Sequence, residues 1–221
     1  MSSRIAVFGG MFDPVHNGHV EAARFALNYL EVNRLKMIPC QLPNHKEQAR
    51  SSSAHRLAML ELALLTDENI EADAIEINRP GISYTVDTLT ELRLLERQSE
   101  GGLSKGQVQL VFVLGVDSFN TLEQWHQWSR LMDLCHFLVL ARPGSEISVA
   151  TAEALNIEQR LVQTTQQMFA SESGKILYAE KFHFDISSTS IREKLSLHPG
   201  AVQQLDERVF TYIKNNHLYG L

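Results

Sequence analysis

The stretch Gly9-Gly10-Met11-Phe12-Asp13-Pro14-Val15-His16-Asn17-Gly18-His19 decides the fold. It follows the apolar run Ile5-Ala6-Val7-Phe8 and precedes Val20, Ala23, Leu27 and Leu30 at helical spacing. The order is therefore strand, tight turn, helix. Such a turn leaves backbone N–H groups at a helix N-terminus, where the helix dipole favours anions. Gly9, Gly10 and Gly18 let the backbone bend and let a phosphate come close. His16 and His19 share one face of the first helical turn. The spacing is neither the G-x-G-x-x-G of a dinucleotide fingerprint nor a Walker loop ending in Gly-Lys-Ser/Thr. As zinc ligands the two histidines would need further partners at sensible spacing, and none is evident. A capping or packing role for both stands as the plain alternative to phosphate contact.

Outward from that turn the chain alternates strands and helices. Strands are expected at residues 35–39, 70–77, 109–114, 136–140 and 176–178. Helices are expected over Leu57, Leu60 and Leu64 (with N-caps in Ser51-Ser52-Ser53), over Val86 to Leu95, and over Leu122, Trp125 and Trp128. Residues 98–107 read as an exposed loop and 146–171 as one surface helix. A helix starts near residues 186–192, with Ser190 and Glu193 at capping-box spacing, and the last spans 209–221. The nearly unbroken apolar run Leu110-Val111-Phe112-Val113-Leu114 marks a central parallel strand. Alternating elements imply βαβ units, hence an α/β, Rossmann-like, doubly wound parallel sheet with a small C-terminal helical part. We expect one domain over 1–221, with a core at 1–180 and a C-terminal helical segment at 181–221. Ligands of such sheets bind beyond the carboxyl ends of the strands. The loops after Phe8, Ile38, Leu114 and Leu140 leave those ends.

Composition narrows the function. The chain has 221 residues, 44% hydrophobic and 21% charged, enough for a full core. Its net charge of −6 argues against nucleic acid as a partner, but a locally positive site for a small anion is compatible with it. The two cysteines, Cys40 and Cys135, lack metal or redox spacing. With no signal peptide and no apolar run of the ~20 residues that span a bilayer, a reduced, cytoplasmic chain without a membrane partner is expected. A homo-oligomer is compatible with this composition.

Other side chains carry two readings each. Lys46 and Arg142, just past strand ends, are solvated loop charges or phosphate contacts. Asp117, after Gly115 at the end of the central strand, caps its helix or binds a ribose hydroxyl. Tyr84 and Thr85 cap the helix that follows them. Trp125 and Trp128 are by default core aromatics on one helix face; His55, His126 and His217 read as surface residues.

The opening stretch resembles the G-x-F-D-P-x-H-x-G-H signature of the H-x-G-H nucleotidyltransferase superfamily. Ser187-Ser188-Thr189-Ser190-Ile191-Arg192 resembles its second signature, a Ser/Thr-rich helix start with an arginine. Within the superfamily the sequence is similar to the bacterial nicotinate-nucleotide adenylyltransferases through Ile38-Pro39, Pro43-Asn44-His45-Lys46, Arg79 with residues 81–89, Gly115-Val116-Asp117-Ser118 and Arg142-Pro143-Gly144. Met11 departs from the usual small hydroxyl residue, and Asn44 from the usual proline.

The resemblance implies adenylyl transfer from ATP to nicotinate mononucleotide, giving nicotinate adenine dinucleotide and pyrophosphate. It implies His16, His19 and Arg192 as catalytic residues. Gly9, Gly10, Met11, Phe12, Gly18, Gly115, Asp117, Ser187, Ser188 and Thr189 would bind ATP. Asp13, His45, Lys46, Tyr84, Thr85, Trp125 and Arg142 would bind the nicotinate nucleotide, with Trp125 stacking on the pyridine ring. The attacking phosphate is already largely ionised near neutral pH, so no strong base is required. What remains is the repulsion of two anions, about 4 kcal/mol per charge pair at ~4 Å and an effective dielectric of 20. Mg2+ would arrive with ATP, largely hydrated, because no carboxylate cage is evident. The alternatives are another adenylyl- or cytidylyltransferase of the superfamily, or a nucleotide sensor without catalysis.

Overall fold

The computed structural model describes residues 3–42, 49–99, 108–141, 144–180, 182, 186–197 and 203–221. In chain order the elements are β1 (Ser3–Gly10), α1 (Asn17–Leu30), β2 (Arg34–Pro39), α2 (Ser53–Ala63), β3 (Ile70–Ala72), α3 (Ile75–Asn78), α4 (Thr85–Ser99), β4 (Val108–Gly115) and α5 (Val116–Phe119). They continue with α6 (Trp128–Leu134), β5 (His136–Leu140), α7 (Val149–Ala154), α8 (Ile157–Arg160), β6 (Leu161–Val162), α9 (Thr165–Phe169), β7 (Ile176–Ala179), α10 (Ser188–Leu197) and α11 (Glu207–Asn215). The seven strands form one sheet in the order β3-β2-β1-β4-β5-β7-β6. This is the expected α/β, Rossmann-like arrangement, with the strand order reversing between β1 and β4.

Close contacts divide the chain into two units. The first comprises Met1–Gly9, Ala26–Leu35 and Tyr84–His183. In it β1 pairs in parallel with β4, with Val7 opposite Phe112, and β4 pairs in parallel with β5 and β5 with β7. Residues 108–114 and all of β5 are buried, as an apolar central strand requires. The carboxyl ends of β1 and β4 are thus neighbours, and each ends in glycine. The second unit comprises Gly10–Phe25, Lys36–Ser83 and Phe184–Leu221. The C-terminal helices therefore group with residues 10–25 and 36–83. Ser52 caps α2 by accepting from the His55 N–H, as expected, and Asp206 caps α11 by accepting from that of Arg208.

Several elements differ from the sequence reading. The strand expected over 70–77 stops at Ala72, because the Asp73 carboxylate accepts from the Ile75 N–H and turns the chain into α3. Residues 146–171 form three short helices and the two-residue strand β6, with Ser148 and Thr164 as separate caps. The last helix starts at Glu207 and ends at Asn215; a 3-10 turn, Leu218–Gly220, follows.

His136, at the start of β5, is fully buried. Its Nδ1 accepts from the Lys175 N–H, and burial pushes its pKa down to about 4. An unfolded histidine titrates near 6.5, so between those values the unfolded chain takes up a proton that the native chain refuses. Stability is therefore expected to fall as pH drops from about 6.5 to about 4, by roughly 3 kcal/mol from this group alone. His136→Gln keeps an acceptor for Lys175 and removes the titration. Urea unfolding at a series of pH values should show a flatter slope for the variant; equal slopes would refute the assignment.

Candidate active site

The turn after β1, from Gly10 onward, lies in the second unit. His16 sits at the N-cap of α1: its carbonyl accepts from the N–H groups of His19 and Val20. His19 reaches back, and its Nδ1 accepts from the His16 N–H at 3.3 Å. This is the reach of a capping box with imidazole in place of glutamate. The two rings stack with centroids 3.6 Å apart. Because Nδ1 of His19 is an acceptor there, the proton of the neutral ring is on Nε2, which becomes a donor. His16 is buried and His19 half-buried. Phe12 packs edge-on against His19, and its backbone is left-handed, with φ of 49°. A Cβ at Gly10 would sit 2.9 Å from the Phe12 ring, so this position has room for glycine alone. The capping reading of the pair is therefore met at the head of α1, where Nδ1 of His19 accepts from the His16 N–H.

The second signature is brought to the same turn. Ser188 Oγ donates to the Pro14 carbonyl at 3.1 Å, and Arg192 Nη1 donates to the Asp13 carbonyl at 2.7 Å. Arg192 Nη2 also donates to Thr189 Oγ1 at 3.1 Å. The cap of α10 is Ser187, whose Oγ accepts from the Ser190 N–H at 3.2 Å. The expected capping box at Ser190 and Glu193 is thus displaced by one helical turn, since a Ser/Thr run offers several registers. Two helix N-termini, those of α1 and α10, therefore belong to one local group with His16, His19 and Arg192. That is a cradle for a polyanion.

Asp13, expected among the nucleotide contacts, has both carboxylate oxygens engaged by protein donors. Oδ2 accepts from the Arg50 N–H at 2.6 Å; Oδ1 accepts from Ser51 Oγ at 2.7 Å and from Tyr219 Oη at 2.6 Å. It is 4% exposed. Sequence reasoning missed Ser51 and Tyr219 as its partners, and it missed Arg56 altogether. Arg56 is completely buried on α2. Its guanidinium donates to the carbonyls of Met11 (2.8 Å), Cys40 (2.5 Å) and Gln41 (3.3 Å). One side chain thus ties the loop after β1 to the loop after β2. Met11 contributes its carbonyl to this clamp, and its thioether lies against Cys40 Sγ.

The aromatic residues lie in the first unit. Trp125 is not on a helix: its backbone is extended (φ −78°, ψ 147°), and left-handed Gln127 separates it from α6. Trp125 and Trp128 therefore do not share the expected helix face. Trp125 packs edge-on to Phe112 of β4 at 6.0 Å and is half-buried. Tyr84 heads α4, with Thr85 as its first residue, and the Tyr84 ring lies 4.2 Å from that of the exposed His126. Gly9, whose Cβ would touch the Phe112 ring, precedes the turn. A Cβ at Gly115, the N-cap of α5, would meet open space; Asp117 is exposed in the first turn of that helix. His45, Lys46 and Arg142 lie outside the described residues. Neither Cys40 nor Cys135 forms a disulfide among the described residues, and burial pushes the Cys135 thiol pKa up. Among the described residues, no helix is long and apolar enough to cross a membrane.

The Cytidylyltransferase-like family model matches residues 7–194, a span running from β1 through both signatures. A probable nicotinate-nucleotide adenylyltransferase of Hahella chejuensis is 34% identical over 219 residues, 99% of this chain and 96% of that protein. One of Escherichia coli O139:H28 is 35% identical over 220 residues, 99% of this chain and 100% of that protein. The fold also matches a solved structure of Plasmodium falciparum nicotinic acid mononucleotide adenylyltransferase complexed with NaAD. The TM-score is 0.72 at 17% identity, over 98% of this chain and 97% of that one. With two signatures gathered on one turn and near full-length likeness to these relatives, the chain belongs to the nicotinate-nucleotide adenylyltransferases of the cytidylyltransferase-like family.

Proposed function

We propose that this chain transfers the adenylyl group of ATP to nicotinate mononucleotide, releasing pyrophosphate and forming nicotinate adenine dinucleotide, a step of NAD biosynthesis in the cytoplasm. The observation that carries the reading is the polyanion cradle: His16 and His19 at the head of α1, with Arg192 and Ser187 at the head of α10. A phosphate oxygen of the mononucleotide attacks the α-phosphorus of ATP in line. One P–O bond forms as the bond to the bridging oxygen of pyrophosphate breaks, and the electron pair leaves with pyrophosphate. No covalent enzyme intermediate is needed. His19 Nε2–H and His16 stabilise charge growing on the α-phosphate and the bridge, while Ser187, Ser188, Thr189 and Arg192 hold the β- and γ-phosphates. Gly9, Gly10 and Gly18 give the chain close access to ATP, with Met11 and Phe12 forming the wall. Gly115 and Asp117 serve the nucleoside. Lys46, His45 and Arg142 neutralise the mononucleotide phosphate.

Mg2+ is assigned to the triphosphate, entering with ATP and keeping most of its water. Bound there, Mg2+ would neutralise charge on the phosphate oxygens. The nicotinate carboxylate is assigned to the N–H groups at the head of α4, beside Tyr84 and Thr85.

The test is pyrophosphate release from Mg-ATP with nicotinate mononucleotide, compared with its nicotinamide counterpart and with phosphopantetheine. Release is expected to be fastest with nicotinate mononucleotide, and no release with it would sink the reading. Trp125→Ala is expected to raise KM for the mononucleotide about 10-fold, since a lost ring stack is worth roughly 1–3 kcal/mol. The KM for ATP should change little. An unchanged mononucleotide KM would remove Trp125 from the site.

A further inference from the structure

The C-terminal 3-10 turn places Tyr219 against the signature loop of residues 10–19, with its backbone in the left-handed region at φ of 57°. Left-handed backbone is costly for an aromatic residue, and a conformation of that kind persists only where surrounding contacts hold it. Here the contact is the hydroxyl. Tyr219 Oη lies 2.6 Å from Asp13 Oδ1 and 2.9 Å from Ser51 Oγ, and Ser51 Oγ lies 2.7 Å from the same Oδ1. Two hydroxyl protons serve three short oxygen–oxygen separations, so Asp13 Oδ1 takes at least one and the two hydroxyls share what remains. Burial, then the hydrogen bond to Asp13, raises the Tyr219 pKa, so the phenol stays a donor at every working pH.

We propose that Tyr219 is a positioning residue for the phosphate-binding turn. Asp13 is where the turn is fastened: its carboxylate is held from the loop before α2 and from the C-terminus, and its carbonyl is held by Arg192 of α10. Three residues further on, the chain must deliver His16 to the head of α1 in register with His19. Without the Tyr219 hydroxyl, Ser51 still satisfies Oδ1, so no buried acceptor is orphaned. What is lost is the constraint on where the carboxylate sits. The consequence is misplacement of the histidine pair, and misplacement of about 1 Å costs up to ~100-fold in rate. The last residues of the chain thus set the geometry of a loop near its beginning.

The kinetic arm rests on the adenylyl-transfer reading above. Tyr219→Phe is expected to lower kcat roughly 10- to 100-fold while both KM values stay within about 3-fold, because the substrates' remote contacts are untouched. Ser51→Ala, which removes the other Oδ1 donor, is the second variant and should act in the same direction with a smaller loss. Tyr212→Phe is the control. It breaks a hydroxyl contact of α11, 2.9 Å to His55 Nδ1, without reaching Asp13. It should lower the melting temperature and leave kcat within about 2-fold. Amide hydrogen exchange at residues 12, 13 and 15–16 gives a readout that needs no activity, and it should speed up in Tyr219→Phe and not in Tyr212→Phe. If the wild-type protein releases no pyrophosphate, the function reading fails and exchange alone decides the positioning role. Wild-type kcat, or wild-type exchange where activity is absent, in a folded Tyr219→Phe protein overturns the proposal. Equal kcat losses in the Tyr219 and Tyr212 variants overturn it as well.

Discussion

Replacing His19 with alanine is expected to lower kcat by at least about 100-fold while the protein stays folded, the usual loss when one preorganised transition-state donor is removed. The geometry says which atom matters. Nδ1 of His19 accepts from the His16 N–H, which puts the proton of the neutral ring on Nε2, the donor that the proposed reaction would use. On the adenylyl-transfer reading, His19 acts as an oriented N–H donor. Two isosteres separate its functions. In His19→Gln the amide nitrogen stands near the position of Nε2, whereas in His19→Asn the amide oxygen stands near that of Nδ1. The glutamine variant should keep more kcat, and the asparagine variant should keep more of the helix start, worth about 1 kcal/mol. Steady-state kinetics with urea unfolding on the same preparations reads both. A folded His19→Ala enzyme with near-normal turnover would remove His19 from the chemistry.

The chemistry-bearing turn was readable because its signals are local. Glycines, the apolar strand before it and the helical spacing after it all lie within 26 residues, from Ile5 to Leu30. The second signature was readable for the same reason, although its cap falls on Ser187 and not Ser190. The helix expected across Leu122, Trp125 and Trp128 fails for a tertiary reason. Leu122 is buried at the head of a 3-10 turn, Leu122–Gln124, and Trp125 packs on Phe112 just past its end, so spacing of three imitates an α-helix that extended Trp125 and left-handed Gln127 interrupt. Spacing reports which residues are covered, and says less about the backbone that covers them. The side chains that brace the site were invisible for a deeper reason. Asp13 lies in the motif, but its partners Ser51 and Tyr219 are 38 and 206 residues away. Arg56, on a helix with Leu57 and Leu60, has no local mark that separates it from a solvated arginine. Only the fold brings it to three carbonyls.

Arg56→Met is accordingly expected to destabilise the protein by about 3–5 kcal/mol, the range for breaking a buried charged network. Replacing a whole buried ion pair by apolar residues of similar size is often neutral, because both partners go. Here the partners are the backbone carbonyls of Met11, Cys40 and Gln41, which no side-chain substitution removes. A carbonyl that loses its donor costs up to roughly 1–3 kcal/mol, less where water reaches it. Arg56→Lys keeps the charge but replaces a planar fork with one compact ammonium, which cannot bridge Met11 and Cys40 with the same geometry. Its loss should be about half that of methionine. On the proposed function, activity should fall with stability, because Met11 follows Gly10 in the turn before α1 and the Cys40 N–H donates to the Gly10 carbonyl at 3.0 Å. When Arg56 lets go, the first turn of the cradle loses the loop it leans on. Urea midpoints with kcat/KM for both substrates read the effect, and an Arg56→Met protein with a wild-type midpoint would show that the clamp contributes nothing.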